Sequence, residues 1–344
     1  LGILIFIFGL AIFDLIIGVS NDAVNFLNSA VGAKTASFKV ILGLAAIGVF
    51  FGAATSNGMM DVARHGIFQP QYFTFVEIMC ILMAVMVTDV ILLDTFNSLG
   101  MPTSTTVSLV FELLGGTVAL AMIKSIASEG ALTFGEMINT DKVLTVVLGI
   151  FLSIAIAFFF GLLIQWITRV IFTFNYKRNL KWFAGIFGGI ATTAIIYFML
   201  FKGLKDSSFM TPENKQWINE NTGQLLVYVF LGSGVLMQIL HWCKVNIFKI
   251  VVLMGTFSLA MAFAGNDLVN FIGIPLTSLA TYQDYMANGQ GVGMDVFTMD
   301  SLNGPANTPI LFLLGAGAIM VFALVTSKKA HNVIKTSVNL SKQD

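Results

Sequence analysis

Charged side chains are scarce in this chain: Lys, Arg, Asp and Glu make up 10% of its 344 residues, against roughly 25% in an ordinary soluble domain. So thin a polar coat cannot cover a soluble fold of this size, whose surface would be left largely apolar. The shortage excludes a cytosolic enzyme, a nucleic-acid binder and a disordered chain. Excess charge of one sign is lacking too, because 18 Lys+Arg balance 18 Asp+Glu, and no polyanionic partner is implied. Cysteine is nearly absent. Cys80 and Cys243 lie far apart in apolar stretches, offer neither ligand spacing nor a disulfide framework, and read as small buried hydrophobes. His65, His241 and His331 have no paired-ligand spacing either and fall near the ends of apolar stretches, where snorkelling or interfacial roles are expected. No charged leader or small-residue cleavage site precedes the first apolar run, which reads as a trimmed membrane helix rather than a signal peptide.

What is present is apolar: 57% hydrophobic residues, with a mean hydropathy of +0.88. A spanning helix needs about 20 mostly apolar residues. Nine stretches qualify, at 1–18, 40–55, 72–93, 105–123, 143–172, 182–201, 223–241, 247–264 and 309–326. None alternates with period 2, so the expected fold is all-α, a polytopic membrane helix bundle rather than a barrel. Basic residues mark the short loops: Arg169, Lys177, Arg178 and Lys181 after the fifth stretch, Lys244 and Lys249 before the eighth, and Lys328, Lys329 and Lys335 after the ninth. Segment 274–308 has no Lys or Arg but carries Asp284, Asp295 and Asp300. The positive-inside rule then expects the N-terminus outside, 274–308 as an exterior loop, and the C-terminal segment in the cytoplasm of a cell (plasma or inner) membrane. Trp166, Trp182, Trp217 and Trp242 fit an interfacial aromatic belt.

An internal repeat carries the functional reading. Asn21-Asp22-Ala23-Val24-Asn25-Phe26 recurs as Asn266-Asp267-Leu268-Val269-Asn270-Phe271, identical at five of six positions. Each copy closes an apolar stretch, where two amides and a carboxylate are expensive to keep. A fainter echo follows each copy, Thr55-Ser56 with Val62 and Thr326-Ser327 with Val333. The spacing is 34 residues in the first case and 60 in the second, so 26 extra residues are expected inside the exterior loop. Seven expected spans, an odd number, separate the copies, so they enter the membrane from opposite faces. That is the mark of inverted-topology repeats, the common architecture of secondary transporters. The expected organisation is a first repeat at 1–126, connecting membrane helices at 127–222 and a second repeat at 223–344. An unrelated duplication of a helix-capping turn is the alternative.

Chemically, a helix broken and restarted at each motif would place Asn21, Asn25 and Asn28 on one face, and Asn266 and Asn270 likewise. Carboxylate, amide and freed carbonyl oxygens make a hard cage suited to Na⁺. The half-helix N-terminus offers N–H groups to an anion. Interhelical hydrogen bonding by the same side chains is the plainer alternative. A third element, Gly100-Met101-Pro102-Thr103-Ser104-Thr105-Thr106, puts Pro and four hydroxyl residues at the start of a helix, a neutral anion cradle or an ordinary Ser/Thr cap. Asp14, Glu77, Asp89, Asp94 and Glu112 also lie in or beside apolar stretches. Asp89 and Glu112 are the stronger candidates for a proton or sodium path. No nucleophile elbow, P-loop or metalloprotease helix occurs, so an enzyme is not expected.

These residues resemble the inorganic phosphate transporter (PiT) family, whose signature is a duplicated Gly-Ala-Asn-Asp-Val-Ala-Asn-Ala-like segment with a Pro-(Val/Ile)-Ser-Thr-Thr-His partner. Val19-Ser20-Asn21-Asp22-Ala23-Val24-Asn25 and Ala264-Gly265-Asn266-Asp267-Leu268-Val269-Asn270 are similar to the first, and Pro102-Thr103-Ser104-Thr105-Thr106 to the second. Val107 stands where the family has His, and Thr103 where it has Val or Ile. The resemblance implies inverted repeats with helices broken at the motifs and inorganic phosphate held between them. It also implies import coupled to Na⁺ by alternating access. Carried over, Asn21, Asn25, Ser104, Thr105, Thr106, Asn266 and Asn270 would contact phosphate, and Asp22, Asn21, Asp267 and Asn266 would hold Na⁺. No cofactor is implied beyond Na⁺ as coupling ion, the lipid bilayer is the surrounding partner, and a homodimer is compatible. A proton-coupled carrier, or one for sulfate or a metal–phosphate complex, is the rival within the class. An intramembrane aspartate hydrolase or a channel is the rival outside it. A second partner motif would fall near position 373, so the chain is expected to lack the end of its second repeat and to have lost sequence at both ends.

Overall fold

In the computed structural model the described residues are 1–56, 66–129, 132–173, 176–203, 210–304 and 308–340. Val62 and His65, and the side chains of Lys177, Arg178 and Val269, lie outside what is described. The helices are α1 (Gly2–Gly32), α2 (Phe38–Thr55), α3 (Phe75–Leu99), α4 (Thr105–Ala127), α5 (Phe134–Met137), α6 (Thr140–Phe172), α7 (Tyr176–Phe198), α8 (Pro212–Trp242), α9 (Ile247–Asn288), α10 (Ile310–Thr326) and α11 (Lys328–Leu340). Long apolar segments take this form because a helix satisfies its own backbone groups where water cannot. Among the described residues eight segments are long and apolar enough to cross a membrane. The pair α10 and α11, bent by 65° at Ser327, brings the number to nine if it counts as one span. The all-helical, polytopic expectation therefore holds.

Local chemistry sets the helix ends. Thr74 and Glu77 close a capping box at the start of α3, and Gly100, at φ 69°, ends it in the left-handed region that glycine enters without strain. Ser104, Asn139, Thr211 and Asn246 cap α4, α6, α8 and α9, each side chain accepting an N–H of the first turn.

Two expectations about helix ends fail. The chain was expected to break at both Asn-Asp motifs, yet α1 and α9 run through them without interruption. The break falls at the third motif, between α3 and α4. Tertiary partners satisfy the motif amides, so the backbone need not open to serve them. The second failure concerns the expected exterior loop 274–308. Its first half is the end of α9, with Ile274 and Leu276 buried and Ser278 and Thr281 bonded back to carbonyls four residues earlier. Pro275 sits inside that helix. Both cysteines are also exposed rather than buried. On the outer face of a membrane bundle a thiol meets lipid, so its apolar character does not drive it inward.

Three apolar clusters form the interior. One joins α1, α2, α9, α10 and α11 around Phe26, Phe271 and Leu27. Another joins the first half of α1 to α3, α4 and the end of α9 around Ile7, Leu82 and Leu113. A smaller one holds α7 and α8 against α9 through Ala184, Met237 and Ile247. α6 joins them at its ends, Val143 and Val146 packing on the second cluster and Phe172 belonging to the third, while its side chains are exposed along most of the length between, from Leu144 to Val170.

Helices approach most closely where glycine removes a side chain, as membrane bundles require. A Cβ at Gly52 of α2 would overlap the backbone of Met261 on α9, while one at Gly43 meets nothing within 4 Å. Gly52→Val is therefore expected to lower stability by about 3 kcal/mol, whereas Gly43→Ala is neutral. Melting of the detergent-solubilised protein checks the pair, and equal midpoints would refute the close contact.

Candidate functional site

The site is assembled from the middle of α1, the α3–α4 connection and the middle of α9. Asn21 is fully buried and its amide is engaged within the protein. Its Nδ2 donates to Asn97 Oδ1 (2.8 Å) and to the Met101 carbonyl (3.0 Å), and its Oδ1 accepts from the Thr103 N–H (2.8 Å). Asn97 in turn donates to the Ile17 carbonyl at 2.7 Å. These bonds hold the non-helical segment from Gly100 to Ser104 against α1 and so fix where α4 begins.

Asp22, one residue on and about 100° around the helix, faces the start of α4. Its Oδ2 accepts from the Thr105 hydroxyl at 3.0 Å and its Oδ1 from Asn25 Nδ2 at 3.4 Å. The second motif copy arrives from α9. Asn270 Nδ2 donates to Thr106 Oγ1 (2.8 Å) and, more weakly, to Thr105 Oγ1 (3.4 Å). Thr106 also lies against the Asp267 carboxylate, whose charge bears on Asp22. Asn25, Asn266 and Asp267 together line a cavity of about 240 Å³, closed on its apolar side by Phe26, Phe198 and Phe263.

Of the expected residues, Asp22, Asn25, Thr105, Thr106, Asn266, Asp267 and Asn270 thus converge on one place. Asn21 stands behind them with both N–H donors taken. Ser104 is exposed, and its hydroxyl accepts the Val107 N–H at 3.3 Å as the helix cap. Val107, where the resemblance expects a histidine, adds no titratable group.

Two neighbours escaped the sequence reading. Asn97 completes the Asn21 clamp, and Ser108 donates to Asp89 Oδ1 at 2.8 Å. The signal for Asn97 was present, an amide within an apolar run just before Gly100 and Pro102. Of the other acidic residues, Glu77 pairs with Lys124 at 2.8 Å and Asp94 pairs with Lys329. Both are helix-end ion pairs of modest worth. His331 packs edge-on against Phe38.

The arrangement suits a small anion accompanied by cations. The first N–H groups of α4 have no partner in their own helix, and the positive end of its dipole lies at Thr105 and Thr106, beside Asp22 and Asn270. Two carboxylates, Asp22 and Asp267, stand beside it, and among the described residues no lysine, arginine or histidine lines the cavity. An anion entering there meets amide and hydroxyl donors together with unneutralised negative charge, which a bound cation would offset.

Residues 18–338 match the family model described as the phosphate transporter family. No curated protein matches the chain. A solved structure described as the sodium-dependent phosphate transporter superposes with a TM-score of 0.71 at 17% identity, over 100% of this chain and 80% of that one. That likeness is one of fold, and it extends across the whole bundle. Since the family match covers nearly all of the chain, including both motif copies and the helix start between them, this protein belongs to the phosphate transporter family, and is a transporter rather than an enzyme.

Proposed function

We propose that the protein imports inorganic phosphate by symport with Na⁺, through alternating access of the site between α1, α4 and α9. The observation that carries the reading is the meeting of the two motif copies at the start of α4, where Thr105 bonds Asp22 and Asn270 bonds Thr106, while Asn25, Asn266 and Asp267 of the same two motifs line one cavity. Phosphate would lie against the α4 N-terminus, contacted by Thr105, Thr106, Asn25, Asn266 and Asn270. Na⁺ would sit at Asp22 and Asp267, with amide oxygens completing its shell. Each ion relieves the cost of the other: a dianion beside two carboxylates is repelled until cations enter, and the cations are ill-matched without it. The neighbouring fold described as a sodium-dependent transporter supports this choice of coupling ion.

The two structural units would be inverted repeats at 1–126 and 223–344, rocking about the shared site. With the basic loops cytoplasmic, the N-terminus would lie outside and α11 inside.

Radiolabelled phosphate uptake into proteoliposomes tests the proposal. Uptake should require an inward sodium gradient, and Thr106→Val, which keeps shape but removes the hydroxyl, should reduce it roughly 10-fold or more. Uptake that ignores sodium and follows the pH gradient would transfer the coupling to protons. No uptake from folded protein would remove phosphate as the cargo.

A further inference from the structure

A second polar cluster lies in the bundle, outside the cavity and unused by the proposed substrate contacts. Asp14 on α1, Asp89 on α3 and Glu112 on α4 bring three carboxyl groups into one another's fields. Asp14 is 0% exposed and Asp89 2%. Both carboxyl oxygens of Asp14 and both of Glu112 are buried without a hydrogen-bond donor among the described residues. Of the three, Asp89 has a donor, Ser108, whose single hydroxyl hydrogen is shared between Asp89 Oδ1 at 2.8 Å and the Thr105 carbonyl at 3.0 Å.

Among the described residues the charged groups around the cluster are all acidic. From α1 come Asp14 and Asp22, from α3 Asp89, from α4 Glu112, and no cation contributes to the field at any of the three among the described residues. Lys124 on α4 is taken by Glu77, and Lys329 on α11 by Asp94. On α9 the acidic Asp267 faces Asp22 rather than the triad.

Three ionised carboxylates in one apolar interior would repel each other with no solvent to screen them. Something positive must join them. Among the described residues no group of three acidic, histidine or cysteine side chains is placed to cage a metal ion, so the three carboxyl groups do not by themselves make a cation cage. A proton needs no cage. It requires only one carboxyl to act as donor to another, and Asp14 lies beside Asp89 with its oxygens otherwise unpartnered.

We propose that Asp14, Asp89 and Glu112 form a proton-binding site that loads and releases a proton in step with the transport cycle. The inference rests on the symport reading for its cycle, though not for the presence of the proton. The link to the substrate site is short: Asp89 bonds Ser108, Ser108 bonds the carbonyl of Thr105, and the Thr105 hydroxyl bonds Asp22. Displacement of the α4 start on substrate binding would alter the Ser108 hydrogen bond to Asp89. The proton then passes between carboxyl oxygens of the triad, with no change in covalent bonding elsewhere.

Two measurements test the site. Infrared spectra of the detergent-solubilised full chain at neutral pH should show a protonated-carboxyl C=O band that weakens in Glu112→Gln and shifts in Asp14→Asn. This readout does not depend on transport. In proteoliposomes loaded with a pH-sensitive dye, the protons moved per labelled phosphate should fall by about one in Glu112→Gln relative to the parent chain. Comparison per phosphate removes the substrate's own protonation from the difference. Absence of the band, or its persistence unchanged in both variants, overturns the proposal. So does an unchanged proton-to-phosphate ratio. Failure of phosphate uptake in the parent chain, with the infrared band present and sensitive to both variants, would instead overturn the symport reading and leave the proton site standing.

Discussion

Asp22→Asn should remove sodium-dependent phosphate uptake, a fall of at least about 100-fold, equivalent to about 2.7 kcal/mol at 1.36 kcal/mol per decade. The substitution keeps volume and shape but withdraws a negative charge from between the Thr105 hydroxyl and the Asn25 amide. Thr105 retains an acceptor in the new amide oxygen, so the protein should still fold. What it loses is the charge that would draw a cation into the site. Asp267→Asn, on the other motif copy, should act in the same direction. Exposed Asp284, which accepts from Ser301 and Asn288 beyond the bundle, provides the neutral control. Initial rates at saturating phosphate, measured against sodium concentration, separate the outcomes. A raised sodium requirement with normal maximal rate would mean that Asp22 tunes cation affinity without being required, and undiminished uptake in both variants would remove the carboxylates from the site.

Asn21→Ala should act on stability before it acts on transport. The side chain, itself fully buried, has three partners, and its loss leaves the buried Asn97 Oδ1 and the part-buried Met101 carbonyl and Thr103 N–H unsatisfied together. At about 1–3 kcal/mol for each buried group left without a partner, and allowing for non-additivity within one network, about 3–5 kcal/mol is expected. Asn97→Ala should reproduce most of it, because both side chains serve one clamp. The double variant should then cost less than the sum of the singles. Thermal melting of the solubilised protein reads this directly. If Asn21→Ala leaves the melting midpoint in place while uptake disappears, the residue is a ligand contact and not a brace.

The contrast between Asp22 and Asn21 shows how far the sequence can be read. The family resemblance implies a Na⁺ contact for both and a phosphate contact for Asn21 as well, and the motif by itself does not say which of two adjacent residues faces the site. In the helix they point roughly 100° apart. One faces the start of α4, and the other faces Asn97 and the connecting segment. Which face meets which neighbour depends on how α1 packs against α3 and α9, and that is set by contacts far away in the chain. The bundle itself was legible because its signal is local: apolar length, basic loops and capping residues. The course of α9 was not, because polar residues after Ala264 look like the end of a span. They become tolerable once Asn270 finds Thr106 and Ser278 and Thr281 bond back to their own helix. Cys80 misled for a related reason: in lipid an apolar side chain has no preference for the interior.

At 1.5 Å per residue, the 42 residues of α9 trace about 63 Å, well beyond the roughly 40–45 Å of a bilayer with its headgroups. The helix therefore emerges from the membrane, and its far end is gripped there. Tyr285 stacks on Phe75 with ring centroids 4.7 Å apart and meets Phe297 edge-on, while the Phe75 N–H bonds the Phe297 carbonyl at 2.8 Å. Asp267 and Asn270 thus ride on a lever whose handle is an aromatic latch at the surface. An antibody on segment 289–304 is therefore expected to change phosphate uptake if α9 moves as one body, and unchanged uptake with the antibody bound would show that Pro275 separates the two ends.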